Sequence, residues 1–135
     1  MVALSFASLL VRDIDRVADY YRSVFGLTEV DELASPHFRG LRLGDTILGF
    51  SGPHAYDLLR IERPSEDHVA VHSFLTFETE DTDEVDRLTA RAVDCGGTLL
   101  SEPGDTYYGA WQSVLADPEG NVFRINYLKI ASPVS

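Results

Sequence analysis

The sequence predicts an α+β fold of two β-α-β-β-β modules, and three observations predict it. Shifting the first half by 68 residues lays Phe6 on Phe74, Asp13 and Asp15 on Asp81 and Asp83, and Val17 on Val85. Each half sets one helix-period segment after an opening strand-like run. Each then supplies three further strand-like runs, punctuated by glycine and proline. A length of 135 residues fits one domain, or two half-sized modules sharing a core.

In the first half, Val2 to Val11 reads as a strand. Asp13 and Asp15 then offer N-caps and favourable charge at the positive end of a helix dipole. Ile14, Val17, Ala18, Tyr21, Val24 and Phe25 recur at helical spacing, and Gly26 stops the helix. The runs LTEVDEL, HFRGLRL and DTILGFS follow as short strands, completing a module of about residues 3–51. Residues 52–68, with Gly52, Pro53 and the charge run Glu62-Arg63-Pro64-Ser65-Glu66-Asp67, read as a connector in which AYDLLR can make a turn or two of helix.

The second module, about residues 69–128, repeats this order. VAVHSFLTFET is a strand, and Asp81 with Glu84 has the spacing of a capping box. Val85, Leu88, Ala92 and Cys95 line one helical face, which Gly96 and Gly97 end. TLLSE, AWQSVLA and NVFRINYL supply three more strands. In the last, Phe123, Ile125 and Tyr127 alternate with Val122, Arg124 and Asn126. The first set should pack on a helix, which turns Arg124 and Asn126 to the opposite face.

Composition narrows the function. The formal charge is 11 − 22 = −11, which repels phosphate backbones and argues against a nucleic-acid partner. The acidity suits solubility first, and attraction of a cationic ligand second. No run approaches the roughly 20 apolar residues of a membrane span, and no secretory signal pattern opens the chain. A lone Cys95 forms neither an internal disulfide nor a cysteine cluster for zinc. A cytoplasmic protein with no membrane partner is the expectation. Serine-nucleophile and phosphate-loop motifs are missing, since neither G-x-S-x-G nor G-K-[ST] occurs.

The paired modules, VRDIDRVADYYRSVFGL after the first strand and DPEGN before the last together resemble the vicinal oxygen chelate superfamily, over roughly residues 3–128. That superfamily includes glyoxalase I, extradiol dioxygenases, fosfomycin-resistance enzymes and bleomycin-resistance proteins. The resemblance implies a single domain over residues 1–135, with a cupped, mostly antiparallel sheet, helices packed outside and a ligand held within. It also implies a homodimer. Metal-dependent members bind a divalent ion through His or Glu in the first and last strand of each module. Those positions fall here on Phe6, Gly49, Phe74 and Arg124. Neither benzyl groups nor a bare backbone offer a side-chain donor, and a guanidinium carries its own positive charge.

No metal and no cofactor are therefore expected. His37, His54, His68 and His72 are the only histidines. On one strand His68 and His72 would stand about 13 Å apart, too far for one ion. A displaced site using His37 and His72 is the remaining metal alternative. The expected ligand contacts are Phe6, Phe38, His72, Phe74, Tyr107, Tyr108, Trp111, Arg124 and Asn126, a set suited to a planar or conjugated molecule with a polar or anionic group. For Arg124 two roles stand open, ligand contact or an internal ion pair with a strand carboxylate such as Glu78. The expected function is metal-free binding of an aromatic or drug-like small molecule, in the manner of bleomycin-resistance proteins. The alternative is a lyase, isomerase or dioxygenase, using displaced metal ligands or metal-free acid-base chemistry.

Overall fold

A computed structural model describes residues 1–65 and 71–129, so His68 lies outside the described residues. The chain divides into two compact units, Met1–Val69 and Ala70–Ser135. The first runs β1 (Phe6–Leu10), α1 (Ile14–Phe25), β2 (Thr28–Glu29), a 3₁₀ turn at Asp31–Leu33, β3 (Phe38–Leu43), β4 (Thr46–Ser51) and α2 (His54–Leu59). The second runs β5 (Leu75–Glu78), α3 (Thr82–Asp94), β6 (Thr98–Asp105), β7 (Ala110–Ala116) and β8 (Val122–Leu128). Each unit forms a four-stranded mixed sheet, ordered β1-β4-β3-β2 in the first and β5-β8-β7-β6 in the second. One parallel pair in each, β1 with β4 and β5 with β8, joins otherwise antiparallel ladders. The fold is thus α+β, with the same strand order twice, as the repeat predicts.

The helix ends follow the chemistry of their caps. Asp13 accepts the backbone N–H of Arg16, and Gly26 closes α1 in the left-handed conformation at φ 65°. Asp81 accepts the N–H of Glu84, and the Glu84 carboxylate returns to the N–H of Glu80, one residue before the cap. In the DPEGN turn the Asp117 carboxylate gathers the backbone N–H groups of Glu119 and Asn121. That knot fixes where β8 begins.

Strand parity decides what is buried. On the helix side of the first sheet, Leu41, Leu48 and Phe50 pack beneath Val17, Tyr21 and Val24 of α1, all essentially inaccessible. In the second, Leu115, Phe123 and Ile125 pack beneath Val85 and Ala92 of α3. Each such large side chain removed from water is worth about 1.5–3 kcal/mol. The apolar face of NVFRINYL is therefore the helix-packed one, and Arg124 belongs to the other.

Several strand limits differ from the sequence expectation. Strand β1 begins at Phe6 rather than Val2, although the N–H of Ile47 still reaches the Ser5 carbonyl at 2.8 Å. LTEVDEL keeps two strand residues before turning into the 3₁₀ segment. Strand β5 is confined to Leu75–Glu78, and His72 precedes it outside regular structure. Strand β6 continues past Pro103 to Asp105, because it is an edge strand whose register slips between Leu99 and Ser101 and again between Ser101 and Gly104.

Candidate functional site

The face of the second sheet turned away from α3 carries Thr76 and Glu78 on β5, Arg124 and Asn126 on β8, and Gln112 on β7. Register places Thr76 beside Arg124, Glu78 beside Asn126, and Asn126 beside Gln112. The Arg124 guanidinium donates from Nε to the Thr76 hydroxyl at 2.8 Å and from Nη1 to the Tyr108 hydroxyl at 3.0 Å. Its Cζ lies 4.9 Å from the centroid of the Phe74 ring. Tyr108 passes its own proton to Gln112 Oε1 at 2.6 Å. Two hydroxyls and a ring thus hold the guanidinium, while Nη2 has no hydrogen-bond partner among the described residues.

Glu78 is not the partner of Arg124. Its Oε1 accepts the Asn126 side-chain N–H at 2.8 Å, and its Oε2 accepts the backbone N–H of Leu128 at 2.8 Å. The internal ion pair considered for Arg124 is therefore replaced by neutral contacts. Asn126 is buried at 7% exposure, and its Oδ1 has no donor among the described residues. A buried acceptor left unmatched costs about 1–3 kcal/mol.

Arg39, in mid-strand on β3, shows the opposite arrangement. Its guanidinium faces α1 and is claimed by carboxylates, with Glu29 taking two bonds at 2.9 and 2.6 Å and Asp15 and Asp19 one each at 3.0 and 2.9 Å. The hydrogen bonds that Arg39 donates to Glu29, opposed in part by burial, hold the Arg39 pKa well above its ordinary value. Those bonds in turn hold Glu29 below the usual carboxylate range. Arg39 is scaffolding; Arg124 has no such partner among the described residues.

The other anticipated contacts sort by position. Phe74, Tyr108 and Arg124 come together. Tyr107 packs edge-on against Tyr108, its ring centroid 5.1 Å away, and is fully exposed. Trp111 stands apart from Arg124, because residues 111, 113 and 115 of β7 point toward α3, and its indole N–H donates to Asp86 at 2.8 Å. His72 is exposed and has no place in this group of contacts. In the first unit Phe6 and Phe38 meet edge-on at 6.1 Å. Gln112 was missed by sequence reading, although its parity on β7 follows once Arg124 is placed opposite Val114.

The four positions where the superfamily places metal ligands can be compared by register. Ser8 pairs with Gly49 as Thr76 pairs with Arg124, and 76 − 8 gives the same 68-residue offset. Gly49 and Arg124 are thus equivalent places in the two sheets. Donor chemistry at Phe6, Gly49, Phe74 and Arg124 does not fit a divalent ion. Gly49 is also closed sterically, since a Cβ there would lie 2.7 Å from Phe38 Cε1. Among the described residues no group of three or more His, Cys, Asp or Glu is placed to hold a metal. His37 stacks on His54 at 4.3 Å. His37 also borders an open cleft of about 430 Å³ with Arg12, Asp13, Asp15 and Ser35, and none of the nine anticipated ligand contacts lines it.

Comparison with known proteins places this geometry in a family. Residues 3–125 match the sequence profile of the Glyoxalase/Bleomycin resistance protein/Dioxygenase superfamily. A crystal structure of a glyoxalase/bleomycin resistance protein/dioxygenase family enzyme from Burkholderia phytofirmans PsJN is 38% identical, with a TM-score of 0.88 over 94% of this chain and 99% of that one. A lactoylglutathione lyase structure from Agrobacterium tumefaciens is 25% identical, with a TM-score of 0.72 over 95% of each chain. The Mycobacterium bovis protein CFP32, provisionally named a glyoxylase, is 27% identical over 124 residues, which are 90% of this chain and 42% of that protein. The chain thus spans less than half the length of this curated relative.

Proposed function

The chain belongs to the Glyoxalase/Bleomycin resistance protein/Dioxygenase superfamily, and we propose that it is a member that binds an aromatic or drug-like small molecule without a metal. The observation that carries this reading is the substitution at the ligand positions. Arg124 stands where a donor would be needed, and neutral partners hold it beside the exposed rings of Phe74 and Tyr108. A fixed cation next to aromatic faces supports recognition rather than Lewis-acid chemistry. A cytoplasmic homodimer accompanies this proposal; among the described residues, no helix is long and apolar enough to cross a membrane.

A second reading, catalysis, is favoured by the names of the relatives, one an enzyme of the family and one a lyase. On this chain it would use displaced metal ligands or acid-base chemistry around Arg124. Metal analysis and ligand titration separate the readings. The purified protein should hold less than one equivalent of zinc, iron, nickel or manganese after dialysis, and aromatic probes should raise its Tm without metal. A stoichiometric ion that survives dialysis, or turnover that appears only when metal is supplied, overturns the proposal.

A further inference from the structure

We infer that the molecule bound at Arg124 carries a carboxylate, or a planar anion of similar shape, on a flat or aromatic body. This rests on the small-molecule reading above and narrows it to a chemical class. Arg124 is half-buried, yet every contact it makes among the described residues is neutral. The arginines at Arg16, Arg42, Arg60 and Arg91 are exposed, where water compensates their charge. Arg124 has lost part of that hydration without gaining an anion. A guanidinium in that condition is destabilised until an oxyanion arrives, and charge-assisted bonds to carboxylate are its strongest compensation.

Three details sharpen the choice. First, the guanidinium is already oriented, because Thr76 holds Nε and Tyr108 holds Nη1. Rotamer entropy is thus spent before binding, and Nη2 remains available to an incoming oxygen. Second, the competing carboxylate is occupied. Glu78 is the one acid on this face of β5, β7 and β8, and both of its oxygens accept from Asn126 and Leu128. Third, Tyr108 cannot swing away to serve as an independent donor without breaking its bond to Gln112. An amine or ammonium on the ligand meets the like charge of Arg124 and no exposed free acceptor among these contacts, because Glu78 is engaged and the unmatched Asn126 Oδ1 is buried, whereas an anion finds a free donor. The overall charge of −11 therefore acts as a distant repulsive field against which Arg124 supplies local attraction.

The test uses three molecules of one shape: benzoate, benzamide and benzylamine, titrated into the metal-free protein by calorimetry and by NMR shift mapping. Benzoate should bind, with the largest shifts at Arg124, Thr76 and Tyr108, and benzamide and benzylamine should each bind at least about tenfold more weakly. Arg124→Gln should weaken benzoate by about tenfold or more and leave benzamide unchanged. Arg124→Lys keeps the charge without the fork and should recover part of the loss. Tyr108→Phe, which removes one clamp and leaves the guanidinium, serves if either Arg124 variant fails to fold. It should weaken benzoate by a few-fold and leave benzamide unchanged, and no change in benzoate affinity counts against the inference. If benzamide or benzylamine binds as tightly as benzoate, or Arg124→Gln has no effect on benzoate, the anion inference is overturned while small-molecule binding stands. If none of the three binds, the anion inference is overturned, and the broader reading is then judged by the metal and thermal-shift measurements.

Discussion

Gly49→Ala is a single-methyl change whose cost can be worked from its surroundings. The new Cβ would stand 2.6 Å from Ser8 Oγ, 2.7 Å from Phe38 Cε1 and 2.8 Å from Phe38 Cζ. Ordinary contacts to carbon begin near 3.4 Å, so the ring must give way by well over half an ångström. Ser8 can rotate its hydroxyl away. Phe38 has less freedom, because its ring also lies over Gly40, where a built Cβ would meet Phe38 Cε2 at 3.2 Å. Gly49 is not among the glycines with positive φ, so backbone strain makes no contribution. The penalty is pure overpacking, worth about 1–3 kcal/mol.

Urea unfolding at neutral pH measures this penalty, and a double-mutant cycle with Phe38→Ala assigns it. In the Phe38→Ala background the methyl at residue 49 has room, so its cost should fall by about 1 kcal/mol or more. A cost within about 0.5 kcal/mol of zero in the wild-type background would refute the reasoning, as would the same cost in both backgrounds. The outcome bears on function. If a methyl cannot be seated at Gly49, an imidazole or carboxylate for a metal cannot be restored there without displacing Phe38.

Two further perturbations test the scaffold. Arg39→Met should cost about 2–3 kcal/mol, because Glu29 is only 15% exposed and loses its partner, while the more exposed Asp15 and Asp19 add little. Glu29 has a depressed pKa in the folded state, so its contribution is present above the ordinary value of 4.5 and fades as pH falls through the folded value. The gap between wild type and Arg39→Met should therefore be full near neutrality and narrow in urea titrations below about pH 4.5; a pH-independent gap would contradict the assignment. Thr89→Val should cost about 1–3 kcal/mol, since the buried Ser113 hydroxyl loses its partner at 2.7 Å. Adding Ser113→Ala should restore most of that stability in thermal unfolding, and simple additivity would exclude the shared hydrogen bond.

Much of this fold is legible in the sequence, for identifiable reasons. The helices announce themselves through aspartate caps and glycine stops, and the 68-residue offset is reproduced as equivalent strand register. Strand ends are less readable, because they depend on partners that the local sequence does not contain. Pro103 reads as a breaker, yet an edge strand tolerates it, since one flank needs no ladder hydrogen bonds. The site is half legible for a related reason. In AWQSVLA the helix-facing set is Trp111, Ser113 and Leu115, and the serine disguises the pattern. Ser113 is fully buried only because Thr89 of α3, distant in sequence, supplies a hydroxyl to meet it. Without that knowledge Trp111 can be assigned to either face. Likewise, sequence shows that Glu78 shares a face with Arg124, but not that Asn126 and Leu128 have taken both of its oxygens.

The two mid-strand arginines show what decides between scaffold and recognition. Residue type and charge are the same for Arg39 and Arg124, and both stand within strands; what differs is the face of the sheet to which strand parity turns them. One parity turns the guanidinium toward α1, where Asp15 and Asp19 of that helix and Glu29 of β2 close around it and consume its donors. The other turns it away from α3 toward hydroxyls and a ring that orient it without neutralising it. Neutral partners fix direction while leaving the electrostatic demand unmet, and that combination is what a preorganised anion site requires. If the Thr76 hydroxyl is removed by Thr76→Val, the guanidinium keeps its charge but loses an anchor. Affinity for benzoate should then fall modestly through lost orientation, whereas a purely structural Arg124 would lose stability with no change in binding.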